Sequence, residues 1–78
     1  MKDYERHTSK RPAGVGDDVF QKYRATAIRK LSSWFWRPWR TTVTCECPGW
    51  VLREMAAAGE VEFRKPAAGA PNEWRLAR

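Results

Sequence analysis

Apolar positions change their spacing along the chain, and the changes divide it into elements. Phe20, Tyr23, Ala27, Leu31 and Trp34 recur at three- and four-residue steps, with Ile28 and Phe35 widening the stripe. That spacing predicts a core-facing helix, with Lys22, Arg29 and Lys30 on its other faces. Asp18 as N-cap with Gln21 three residues on resembles a capping box, and the helix should end near Ser32–Ser33. A second helix is expected after Cys47, which reads as a cap residue, with Pro48 at its first position. Leu52 and Met55, with Val51 and Ala58, give it one apolar face, and Gly59 supplies the positive φ that ends it. The period then switches to two. Val61 and Phe63 oppose Glu62 and Arg64, Pro66–Asn72 reads as a loop, and Trp74 and Leu76 oppose Glu73 and Arg75. Between the helices, Thr41-Thr42-Val43-Thr44 is β-branched and is expected to be extended. Only about one turn of helix fits between Ser32 and Cys47, interrupted by Pro38. Residues 1–16 hold few apolar side chains and are expected to be a flexible basic arm, leaving 17–78 as the folded domain.

Helix, glycine, strand, loop and strand is the order of a winged helix. The pattern L-x-x-M-x-x-x-G-x-V, carried by Leu52, Met55, Gly59 and Val61, with a hairpin ending W-R-L, resembles the recognition helix and wing of winged helix-turn-helix DNA-binding domains. The resemblance covers about the C-terminal two-fifths of the chain and implies an α+β fold with two to three helices and a C-terminal hairpin wing. It also implies double-stranded DNA as partner, a homodimer as one arrangement, and a role as a transcriptional or phage/mobile-element regulator. The chain departs from that family in having only about one turn of possible helix, between Ser32 and Cys47, before the expected recognition helix.

Charge bears on this. Fifteen Lys/Arg against nine Asp/Glu give +6 and a pI near 9.9, which favours a polyanion. Residues 1–30 carry eight basic against four acidic side chains, whereas 48–78 carry five against four. The expected recognition helix is therefore weakly basic, its outward face offering Trp50, Arg53, Glu54 and Ala57. A DNA reader of this kind would use Arg53 at base edges, beside Trp50, with phosphate contacts from Arg37, Arg40, Arg64, Lys65 and Arg75. The arm, with Lys2, Arg6, Lys10 and Arg11 diluted by Asp3 and Glu5, reads as a solvated tail or as a phosphate contact.

Trp34-Phe35-Trp36-Arg37-Pro38-Trp39-Arg40 is the densest aromatic stretch. It reads as core filling, or as a Trp/Arg surface for a protein partner on a winged-helix scaffold; such residues are enriched at interface hot spots. Its short, proline-broken length gives no continuous amphipathic face for a membrane surface. With mean hydropathy of -0.73 no membrane span is expected, and the N-terminal residues lack a signal-peptide apolar region, so a cytoplasmic location is expected. No cofactor, metal or enzymatic activity is expected. Cys45 and Cys47 are one residue apart and lack zinc-site spacing, and His7, the one histidine, lies in the arm.

Overall fold

The computed structural model describes residues 2–32 and 39–77. In order, the elements are α1 (Asp3–His7), α2 (Asp17–Leu31), β1 (Arg40–Thr41), α3 (Thr42–Cys45), α4 (Gly49–Ala57), β2 (Val61–Arg64) and β3 (Glu73–Leu76). Among the described residues these make a small α+β domain of four helices and one antiparallel sheet ordered β1-β3-β2.

The apolar stripe of α2 behaves as its spacing predicts. Ala27 and Leu31 are fully buried, while Phe20, Tyr23 and Ile28 pack at the rim of the core. Trp34 and Phe35 of the same stripe lie outside the described residues. The helix starts at Asp17 after Gly16, which offers no capping side chain, so the Asp18–Gln21 capping box is not formed. Asp17 and Asp18 instead place two negative charges in the first turn, where the helix dipole favours them.

α4 buries Trp50, Val51, Leu52 and Met55, packing against α2 and β2. It begins one residue later than expected: Pro48 stands before the helix, its carbonyl accepting from the Val51 N–H at 3.1 Å. Cys47 is buried in the core rather than acting as a cap. At the other end, Glu60 N–H donates to Met55 O (2.9 Å) and Gly59 N–H to Ala56 O (3.0 Å). With Gly59 at φ 79° this is a Schellman stop, which a non-glycine residue would strain by about 1–2 kcal/mol.

The hairpin keeps the expected alternation. Val61 pairs with Leu76 and Phe63 with Trp74, and these four side chains face the core; Glu62, Arg64, Glu73 and Arg75 face outward. Trp74 is completely buried, its ring centroid 4.8 Å from that of Phe63. β1 adds Arg40 opposite Trp74 and Thr41 opposite Glu73.

A further expectation is corrected. Thr42–Cys45 is helical, not extended, because the Thr41 hydroxyl caps it by accepting from the Thr44 N–H at 3.3 Å. Glu46 then turns the chain at φ 55°, with Lys30 2.8 Å from its carboxylate holding it below its ordinary pKa. Within the expected arm, Asp3–His7 is helical, and Tyr4 is 8% exposed and belongs to the core.

Cys45 and Cys47 are both buried free thiols. Burial pushes Cys45 up to about 11 and Cys47, helped by its neighbour, to about 12. Unfolded thiols ionise near pH 8.5–9 while these stay protonated, so the unfolded state binds fewer protons above that pH. Stability should therefore hold to about pH 8 and decline from about pH 9 to pH 11, with Cys→Ala variants flattening the decline in urea titrations. At pH 8 in native buffer, iodoacetamide should modify neither thiol at an appreciable rate, and both should react in urea.

Candidate nucleic-acid interface

The described residues expected to meet DNA belong to α4, β1, the outer face of the sheet, and the loop between β2 and β3. Their surroundings differ from the sequence expectation chiefly because of the first sixteen residues.

Trp50 is not on an outward face. It is 8% exposed, roofed by the Phe20 ring at 6.3 Å and by the Arg11 guanidinium, whose carbon lies 5.5 Å from the indole centroid. Arg11 is held there by two bonds to the Glu54 carboxylate (Nε to Oε2 2.7 Å, Nη2 to Oε1 2.6 Å) and one to Asp17 (2.8 Å). These hydrogen bonds raise the Arg11 pKa further above its already high range, so the clamp is cationic at every pH at which the protein folds.

Arg53 is half-buried. Its Nη1 donates to Thr8 O at 3.1 Å and more weakly to Glu5 O at 3.4 Å, so it binds carbonyls at the C-terminal end of α1, where a helix favours a cation. Tyr4 belongs to the core, and the His7 ring stacks on Phe63 at 6.0 Å. Asn72 Nδ2 donates to His7 O at 3.0 Å, tying α1 to the hairpin loop as well. With α1 and Arg11 in place, the exposed residues of α4 are limited to Ala57. The two charged side chains of α4, Arg53 and Glu54, are half-buried rather than free on an outward face.

On the outer sheet face, Arg64 pairs with Glu73 and Arg75 with Glu62, both at 2.6 Å. Such exposed pairs contribute about 0–1 kcal/mol and yield readily to a competing anion. The guanidinium carbons of both arginines lie 4.5 Å from the Trp39 ring centroid, so one half-exposed indole joins them. Lys65 donates from Nζ to Ala70 O (2.6 Å) and more distantly to Asn72 Oδ1 (3.4 Å), bracing the loop. Arg40 is half-buried in β1, and Arg37 lies outside the described residues.

Sequence reasoning missed Tyr4 and Asn72, and it placed Arg11 in a solvated or phosphate-touching arm rather than on Glu54 and Asp17. One signal was available for α1: Asp3 and Glu5 precede Arg6 and His7, the charge order that a helix dipole favours. The docking of α1 had no such signal, because its partners lie more than forty residues away in sequence.

Arg24 and Glu60 form a bidentate pair between α2 and the residue after Gly59 (Nε contacts 2.9 and 3.0 Å), which lowers the Glu60 pKa. That stabilisation is present above the ordinary carboxylate range and is lost as pH falls through it. Among the described residues no group of three His, Cys, Asp or Glu is placed to hold a metal ion, and no helix is long and apolar enough to cross a membrane. Neither a protein-family model, nor a curated protein, nor a solved structure matches the chain.

Proposed function

We propose that the chain is a small winged-helix protein that binds double-stranded DNA, in a regulatory role of the transcriptional or phage/mobile-element kind. The observation that carries this reading is the sequence α3, a three-residue turn at Glu46–Pro48, α4, and a hairpin that packs on α4. A helix, a short turn and a second helix is the unit that places its second helix in a major groove. Here α3 is a single turn, and in this reading it takes the place of the helix before the recognition helix. Arg53 is the base-edge candidate on α4, and the outer-face arginines and Lys65 supply phosphate contacts. The net charge of +6 supports a polyanion partner.

Random duplex DNA should retard the protein in a native gel at low salt. If about six phosphates are neutralised, affinity falls about a thousandfold between 50 and 200 mM salt. Lys65→Ala should reduce the slope by about one. An absence of retardation below about 50 mM salt counts against the reading.

The half-exposed Trp39, set against Arg64 and Arg75, favours a second reading in which this face docks on a protein. Trp50, at 8% exposed, offers no anchor for such a surface. Loss of a salt-tolerant complex on Trp39→Ala, with DNA retardation absent throughout, would favour it.

A further inference from the structure

We propose that α1 is a displaceable cover over α4, and that duplex DNA reaches Arg53 only when residues 2–8 swing away. The proposal rests on the DNA-binding reading above and concerns the regulation of that same site.

The cover is held at few points. Tyr4 is its one buried side chain, and the remaining ties are the Arg53 bonds to Thr8 O and Glu5 O, the Asn72 bond to His7 O, and the His7–Phe63 stack. Segments with few buried apolar contacts are those that open locally while the rest of a domain stays folded. A hinge is present. Ser9 and Lys10 are exposed, and immediately after them Arg11 is fixed by Glu54 and Asp17. The chain can therefore pivot at residues 9–10 with the Arg11 clamp intact, which keeps Glu54 neutralised beside the approaching DNA.

The exchange favours an anion. In the closed form Arg53 donates to neutral carbonyls; a phosphate or a guanine edge offers it stronger acceptors, and charge-assisted bonds are about twice as strong as neutral ones. Lys2 and Arg6, carried on the released segment, remain near the duplex. DNA thus binds the open state better than the closed one, which is what shifting the population requires. Apparent affinity is then reduced by the fraction of molecules that are open.

The geometry supplies a lock. A Cβ built on Gly49 lies 4.0 Å from Thr8 Cβ, within the span of a disulfide. The native thiols are buried and protonated and do not compete for it. Thr8→Cys/Gly49→Cys, with disulfide formation verified by mass mapping, should lose at least tenfold in affinity for duplex DNA when oxidised and regain it on reduction. Tyr4→Ala, which loosens the cover while leaving every α4 residue in place, should bind up to about tenfold more tightly than the native chain. Equal affinity of the oxidised and reduced forms, or unchanged affinity in Tyr4→Ala, overturns the cover while leaving DNA binding standing. No retardation by the native chain, the reduced double variant or Tyr4→Ala at low salt overturns the DNA reading and the cover together.

Discussion

Trp74→Ala should leave the domain unfolded, or nearly so, at room temperature. The indole is fully buried at the centre of the three-stranded sheet, where it meets Phe63 on β2 and stands opposite Arg40 on β1. Its Nε1 also donates to the Thr42 hydroxyl at 3.2 Å, linking the sheet to the first turn of α3. Truncating a buried tryptophan costs about 3–5 kcal/mol, through lost transfer energy and the cavity left behind. A chain of 78 residues has about 4–12 kcal/mol in all, and a domain this small lies toward the low end, where that loss takes most of the stability. Trp74→Phe separates the two contributions: it keeps the ring's packing, drops the indole N–H, and should cost about 1–2 kcal/mol. Urea titration followed by far-ultraviolet circular dichroism reads both. An alanine variant within 1 kcal/mol of the native chain would mean that the sheet is not organised around this ring.

Tyr4→Ala should have a different signature, because Tyr4 is the only buried residue of α1. Phenylalanine-sized truncations in a core cost about 3–5 kcal/mol, but here the loss is capped by the energy that docks the arm. Once that is exceeded the arm detaches and nothing further is lost. Amides of residues 3–8 should therefore exchange freely with solvent, while those of α4, β2 and β3 keep native protection. Trp50 would remain shielded where Phe20 and the Arg11 clamp cover it, so its accessibility to acrylamide should change little. Coordinated loss of protection across α4 and the sheet would instead make Tyr4 part of a single cooperative core.

These two residues also mark what the sequence made legible. Trp74 could be placed from pattern alone, since strict alternation over Glu73–Leu76 permits only one inward set once a core exists. Gly59 likewise announces its own conformation, because few other residues tolerate φ near 79°. The stretch after Thr41 misled for a local reason. Its β-branched run favours extension, and one hydroxyl-to-amide cap was enough to tip four residues into a helix. Tyr4 was illegible for a non-local reason: it is a lone apolar side chain in a charged segment, and only folded α4 and β2 create a place for it. The site suffered most from that omission. Arg53 was identified as the outward cation of α4 without the means to foresee that α1 carbonyls would occupy it.

Whether residues 3–8 lie on the domain decides how α4 meets any partner, and backbone amide relaxation in the native chain measures this directly. A docked α1 gives order parameters near 0.85 for Tyr4 to His7, matching those of α4. Values below about 0.6 confined to that segment would show a free tail, an uncovered Arg53, and an interface open from the start.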